Sequence, residues 1–551
     1  GNPERTNHLP PKINQLLTAK IGEYHAAAFD AEGVRFFTEE GYDDFFMGKG
    51  STYPDLFGTV GILFEQPSSR GAGQSTLNGE LTFPFSISNQ FRASLSSLKA
   101  TAELKDELLD YQRNFYAKRS RGHYLASAEG DSTRLQEFVR ILKGHQIEVE
   151  TLANDVTAEG QVFKAGQAIA IPLDQPQATY LETLWRAQLE FEENVFYDVS
   201  TWTLPWAFNL SHTREPVRNA KTKALAPSEA GQTLALAQSP IGYLIDWRDA
   251  NSPALLYDLL EAGANVRVAK APFTALTTNE GAVNFGYGTL FVAPGLPESI
   301  PAAALSRLSA AGSTGIGVYP AASRSPPAGL AVVRRDLGVL ARPHALVREG
   351  RGTSAYGTGE IWHLLDTRVD MPITMVDSHN LKRVELDRYT HVIMTTPLRA
   401  AGATAQLDAF VKNGGVLWLQ GASTVAWAAG EGLTEATWRE TPAQRQAAEL
   451  KRARNNKASP EAQGALLPER KPFSTASDEY AFTLVRGAIL QGNLDTSHPL
   501  GYGYTSSELA VFRTTNRFMN PSSNANSSPV VYTDSPLLSG YMSEDNRSLV
   551  A

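Results

Sequence analysis

Three times along the chain an apolar, strand-like run leads into a helix-like stretch and then into a second apolar run. This recurrence restricts the fold more than any other feature. The first copy lies in "GHYLASAEGDSTRLQEFVRILKGHQIEVETL", with a strand over His123–Ala126, a helix over Arg134–Lys143 and a strand over Ile147–Leu152. The second, "PIGYLIDWRDANSPALLYDLLEAGANVRVAKAPF", has a strand over Gly242–Asp246, a helix over Ser252–Glu261, Gly263 as a helix stop and a strand over Val266–Ala269. The third runs from "LDRYTHVIMTTP" through "LDAFVKNGGVLWLQGAST", where a Gly-Gly pair separates helix from final strand. Strands alternating with helices of this length predict an α/β fold with parallel, doubly wound sheets. At 551 residues the chain is too long for one core, and ordinary domain size divides it into about three.

Ahead of the first copy, Ile13, Leu16, Leu17, Ile21 and Tyr24 fall at helical spacing within residues 12–29. The turn-rich "GYDDFFMGKGSTYPDLFG" then leads into "GILFEQPSSRG", which reads as a buried strand ending at Glu65. A long helix is predicted from Ser86 to Lys118. Together these resemble the last strand and last helix of a layered α/β unit. Between the first two copies, the apolar run Ala168–Ile171 and its Pro-rich turn predict a β insertion. Residues 438–472 carry Arg439, Arg445, Lys451, Arg452, Arg454 and Lys457 among Ala and Gln, and read as a solvated helix and loop.

Composition removes several functions. The net charge of −8 supplies no basic field for nucleic acid or for an anionic membrane surface. No run reaches the apolar length of a membrane span. The absence of cysteine excludes disulfides, thiolate metal ligands and cysteine nucleophiles. The opening "GNPERTNHLPPK" has neither the charged nor the apolar region of a signal peptide, so the chain is expected to start as a mature protein or as a fragment.

Among the ten histidines, His145 has Glu148 three residues on, the spacing of an HxxE zinc motif. They follow Gly144 into a strand, where residues three apart face opposite ways and cannot share an ion. Ser423, in "WLQGAST", lacks the flanking G-x-S-x-G of a nucleophile elbow, and "GTGE" before Ile361 is a Gly-rich turn rather than a phosphate-binding fingerprint. Glu65 remains. A carboxylate at the C-terminal end of a buried strand lies where α/β folds open their ligand crevice, and apolar surroundings would raise its proton affinity towards that of a general base. Pairing with Arg70 or capping of the next turn is the alternative.

The stretch "FFMGKGSTYPDLFGTVGILFEQPSSRG" resembles the segment of M14-family zinc carboxypeptidases that carries the general-base glutamate. "FYDVSTWTLPWAFNL", "YLIDWRDANSPALLYDLLEAGANVRVA" and above all "GEIWHLLDTRVDMPITMVD" are similar to the C-terminal region of large exported bacterial members, which append an amidotransferase-like domain. The resemblance implies a zinc metallocarboxypeptidase acting on peptides, periplasmic or secreted, with Glu65 taking a proton from zinc-bound water. It implies a carboxypeptidase-like mixed-sheet portion over residues 1–118, an α/β domain over 119–235 and an amidotransferase-like α/β domain over 236–551. The substrate-covering tyrosine would fall near Phe45 or Phe46, which leaves Tyr42 and Tyr53 as nearby substitutes and Arg70 as a further substrate-binding residue; Tyr53 would also support the turn that places Glu65. In the family the zinc ligands precede the base. Here only 64 residues do, and they hold His8 and His25 with no HxxE, so the resemblance implies that the ligand-bearing half is missing from this sequence, and no metal ligand is assigned. The alternative reading is a non-catalytic binding or scaffold protein. An active amidotransferase of the usual mechanism is excluded by the missing cysteine.

Overall fold

The computed structural model describes residues 7, 9–38, 44–117, 120–191, 199–225, 236–295, 299–323, 337–398 and 403–550. The first portion is helical: α1 spans Lys12–Asp30, a hairpin pairs β1 (Gly73–Thr76) with β2 (Gly79–Thr82), and α2 (Phe83–Glu103) and α3 (Lys105–Ala117) follow. Thr82 starts α2 by accepting from the Phe85 amide at 3.3 Å. The predicted Ser86–Lys118 helix is therefore two, broken at Leu104. Residues 61–69 form no strand among the described residues; the expected strand ending at Glu65 is an irregular segment, because no neighbouring strand is present to pair with it. Among the described residues two small apolar clusters are buried here, Leu17 with Tyr111 and Phe115, and Ile21 with Ala100 and Leu104. Leu56, Tyr53 and Phe57 instead join the core of the next unit, around Phe138, Leu142, Leu181 and Trp185.

That next unit runs β3 (His123–Ser127), α4 (Ser132–Gly144), β4 (Glu150–Leu152), a hairpin of β5 (Val156–Ala158) and β6 (Gln161–Phe163), β7 (Ala168–Pro172), α5 (Ala178–Trp185), β8 (Ser211–His212) and β9 (Thr222–Ala224). The following one repeats it: β10 (Tyr243–Ile245), α6 (Ser252–Glu261), β11 (Asn265–Ala269), a hairpin of β12 (Phe273–Thr277) and β13 (Gly281–Phe285), β14 (Leu290–Ala293), α7 (Ala302–Ser313), β15 (Val318–Pro320) and β16 (Leu337–Val339). Their sheets have matching orders, β8-β3-β7-β4-β9 and β15-β10-β14-β11-β16. Every neighbouring pair in both is antiparallel. The expected parallel sheets are thus absent from these two copies. The hairpin turns the chain back, and β7 or β14 slides between the two strands of the helix crossover. The Ala168–Ile171 run, expected as an insertion, is the central strand of its sheet and is wholly buried.

The two units meet at their first strand-to-helix loops, through aspartates that each lie four residues past the end of the first strand. Asp131 Oδ1 accepts from its own helix at Arg134 N (2.9 Å) and from Ala250 N of the other unit (3.1 Å). Asp249 Oδ2 accepts from Thr133 N at 3.2 Å and Ser132 Oγ at 3.1 Å.

The third copy does give a parallel sheet. Its strands are β17 (Ala345–Glu349), β18 (Thr374–Asp377), β19 (His391–Met394) and β20 (Val416–Leu419), in the order β18-β17-β19-β20, all parallel. Helices α8 (Ala355–Trp362), continued by a π-helical turn His363–Arg368, α9 (Ala403–Lys412) and α10 (Ala422–Gly430) connect or follow them. Helix α11 (Pro442–Asn455) buries no residue, as its charge pattern predicts. The chain closes with a three-stranded antiparallel sheet of β21 (Ala488–Leu494), β22 (Glu508–Arg513) and β23 (Val530–Gly540). This sheet is joined to the first repeated unit by Ser200 N to Arg486 O at 2.7 Å and Thr201 Oγ1 to Ser539 Oγ at 2.6 Å. Among the described residues no helix is long and apolar enough to cross a membrane.

Candidate active site around Glu65

The turn-rich segment before Glu65 is held by buried polar groups. Asp44 and Asp55 are 4% and 5% exposed. Ser51 Oγ and Thr52 Oγ1 donate to Asp44 Oδ1 at 2.6 and 2.5 Å. Asp55 Oδ1 accepts from the Gly61 amide at 2.8 Å and from Asn14 Nδ2 at 3.1 Å; Asn14 also reaches Thr59 O at 2.8 Å. Burial raises the Asp55 carboxyl to about 7, and the nearby Asp44 charge adds to the effect against the opposing hydrogen bond from Gly61. Gly61 must be glycine on grounds of space, since a Cβ there would stand 1.8 Å from Ser51 O. These contacts fix where the run to Glu65 begins. Sequence reading missed Asn14, Asp44 and Asp55 as a set, because their meeting depends on tertiary contacts across about forty residues.

From this anchor the chain passes along a cleft of about 590 Å³ between α1, α2 and residues 35–38. Its walls are aromatic, with Phe29, Phe36, Phe37, Phe64 and Phe85, and Glu65 lines it. Glu65 is exposed, with no hydrogen bond or ion pair to another described residue; the expected apolar burial is not found. The alternative pairing with Arg70 is not formed either: Arg70 is exposed in a left-handed turn (φ 50°), and among the described residues only its backbone amide is engaged, donating to Ser68 Oγ at 3.1 Å. His25 lines the same cleft but is buried, its Nε2 3.1 Å from Ser97 Oγ and its ring edge-on to Phe64 at 4.8 Å. Burial lowers it to about 4, so the imidazole is neutral near pH 7.

The other predicted substrate residues do not gather at Glu65. The Tyr53 hydroxyl lies 2.8 Å from His145 Nδ1, and its ring packs edge-on to Tyr180 at 5.3 Å, so it serves the junction with the first repeated unit. Tyr42 lies outside the described residues. Phe45 and Phe46 pack against Trp202 at 5.4 and 5.5 Å between ring centroids. His145 is turned to the two tyrosines while Glu148 enters the extended run toward β4, so their HxxE spacing chelates nothing. Ser423 is exposed in the first turn of α10 with no basic partner. The described residues of the cleft offer no zinc ligand set. Glu23, His25 and Glu65 are the ligand types in the cleft, and no group of three or more potential ligands occurs among the described residues.

Comparison of the chain with known protein families, with curated proteins and with solved structures finds no match.

Proposed function

We propose that residues 1–118 are the base-bearing portion of an M14-like zinc metallocarboxypeptidase, which hydrolyses C-terminal peptide bonds, and that Glu65 is its general base. The observation that carries the reading is the state of Glu65: an exposed carboxylate, free of partners among the described residues, on the wall of an aromatic cleft. A carboxylate so placed can take a proton from an attacking water and return it to the leaving amine. The metal ligands of such an enzyme are not supplied by the residues of this cleft, and no step is derived through the metal.

A second observation supports the same reading. Ile87, Phe91, Leu95 and Leu98 recur every three or four residues along α2, and all four are at least half exposed, while the helix buries Asn89, Ala93, Ser96 and Ala100. A helix that turns its small residues inward and its large apolar residues outward is incomplete without a partner. In this reading further chain covers that face and carries the zinc ligands, the substrate is a peptide, the protein is periplasmic or secreted, and the parallel sheet belongs to an amidotransferase-like unit without its cysteine.

The test uses this chain and one extended upstream in its reading frame, each as wild type and as Glu65→Gln. Zinc content and release of C-terminal residues from peptides are measured. Zinc and release in the extended chain, with release lowered about 10²-fold or more by Glu65→Gln, is the expected result. An extended chain without zinc would refute it and favour the scaffold reading.

A further inference from the structure

A cavity of about 390 Å³ opens where three parts of the chain meet: the first repeated unit, Arg248 of the second, and the terminal sheet with the loop leading into β22. The first unit contributes the loop between β3 and α4, the tip of the β5–β6 hairpin, and the single helical turn Leu204–Ala207 with the residues after it. Glu129 ties the three together. Its carboxylate accepts from Ser211 Oγ at 2.5 Å and from Thr505 Oγ1 at 2.6 Å, and its carbonyl accepts from Arg248 Nη1 at 3.4 Å. Seven described residues other than glycine have a left-handed backbone, and three of them, Glu129 (φ 52°), Glu159 (φ 50°) and Asn209 (φ 47°), line this one cavity. Such residues hold that conformation at a cost, and they gather at ligand clamps.

Charge in the cavity is largely matched by the protein's own groups. Arg134 Nη2 lies 2.9 Å from Asp131 Oδ2, and Arg248 Nε donates to the two oxygens of Asp246 at 3.0 and 2.9 Å. Glu159 accepts from the amides of Arg214 and Glu215, each at 2.9 Å. The remaining charged residues among the described lining, Arg214 and Glu508, are opposite in sign and exposed. Burial lowers the proton affinity of His212, so its imidazole is neutral near pH 7. Its Nδ1 donates to Leu210 O at 2.9 Å, which leaves Nε2 as an acceptor. Gln161, Asn209, Gln491, Tyr504 and Ser506 add groups that both donate and accept. Trp206 supplies a flat apolar surface, its ring edge-on to His212 at 5.5 Å and with the Arg214 guanidinium 5.6 Å from its centre. A lining so polar does not suit an apolar ligand, and one whose charges are matched does not select an ion.

We propose that this cavity binds a neutral saccharide, with one face of a sugar ring on Trp206 and the ring hydroxyls bridging donors and acceptors from the three parts of the chain. Each sugar hydroxyl donates one hydrogen bond and accepts others, so it is satisfied where both kinds of partner are fixed side by side. Hydrogen bonds to ionised groups such as Glu159 and Arg134 are of the stronger kind, and they require no charge on the ligand. The apolar C–H face of a sugar ring matches the indole. The volume falls within the ~300–1,000 Å³ typical of small-molecule sites and suits a mono- or disaccharide. Among the described residues none lines both this cavity and the cleft of Glu65, and the site does not depend on the peptidase reading.

The experiment is a calorimetric and tryptophan-fluorescence titration of the full chain with maltose, cellobiose, lactose and diacetylchitobiose, and with glucuronate and glucosamine as charged comparators. At least one of the neutral disaccharides is expected to bind, one per chain and more tightly than either charged sugar. Trp206→Leu should weaken that binding about tenfold or more and abolish the fluorescence change, whereas Trp418→Leu, outside the cavity, should leave both in place. Tyr504→Ala and Gln161→Ala should each weaken binding about threefold or more. Both residues are exposed, so these variants keep the test valid if Trp206→Leu fails to fold. Failure of every neutral disaccharide to bind, tighter binding of either charged sugar, or unchanged affinity in the folded cavity variants would overturn the site.

Discussion

At the scale of single residues, the approach to Glu65 depends on Gly61 and Asp55. Gly61→Ala places a methyl group against Ser51 O, a backbone atom that cannot swing aside, and is expected to destabilise by about 2 kcal/mol or more, read as a lower denaturation midpoint. Asp55 makes a prediction in pH. Its folded proton affinity is raised, to about 7, so the native state binds more protons than the unfolded chain between about 4 and 7. Its contribution is therefore fully present below about 4 and is lost as pH rises to about 7. His25, lowered to about 4, acts with the opposite sign, and its contribution grows as pH rises from about 4 to 6.5. Asp55→Asn should keep the Gly61 contact through its amide oxygen, remove the first term alone, and so make stability rise more with pH than in the wild type. A series of denaturant melts from pH 4 to 8 checks this, and an unchanged pH profile would refute it. Glu65 was legible because an acid after an apolar run is conspicuous. Its actual surroundings were not, since they are set by Phe36, Phe37 and α2, which share no local pattern with it.

At the scale of elements, helix positions were read well and strand pairing was not. The helix over Ser252–Glu261 stands as the periodicity predicts, with Gly263 at φ 75° turning the chain out of it. Periodicity gives a strand's faces but not its neighbours, so β3, α4 and β4 look the same whether or not another strand enters between them. The pieces that decide the matter, β7 and β14, are short buried runs whose alternation is hidden because both faces are covered. Helix α2 shows a different case, an apolar stripe of Ile87, Phe91, Leu95 and Leu98 that faces solvent and that the sequence reading did not single out. Leu95→Ser with Leu98→Ser is expected to change the stability of this chain by no more than about 0.5 kcal/mol, because neither residue is in its core. The same pair should reduce its tendency to self-associate, measured by light scattering. A large loss of stability would mean that the stripe already has a partner within the chain.

At the scale of the whole molecule, the arrangement is mixed α/β, with several sheets joined by a few specific contacts. The two repeated units touch through Asp131 and Asp249, and the terminal sheet returns more than 280 positions in the chain to bond Ser200 and Thr201. None of this long-range closure could be read from sequence, because it is carried by single serines, threonines and aspartates of types common on any surface. It predicts that pieces of the chain recognise each other. Fragments 1–225 and 236–551, expressed separately and mixed, should form a one-to-one complex by sedimentation, and Asp249→Lys should weaken it by placing a cation where Thr133 and Ser132 donate. Fragments that stay apart would show that the covalent link is needed to hold the units together.

The repeated topology also bears on how such a protein came to exist. Two units with one strand order, meeting through residues at matching positions, have the geometry of a symmetric dimer whose subunits share an isologous contact. Duplication of a single ancestral gene followed by fusion of its two copies produces this arrangement directly, and it frees each half to diverge. One half has taken the aromatic residues of the preceding helical portion into its core, while the other half's Tyr257 packs with the parallel sheet.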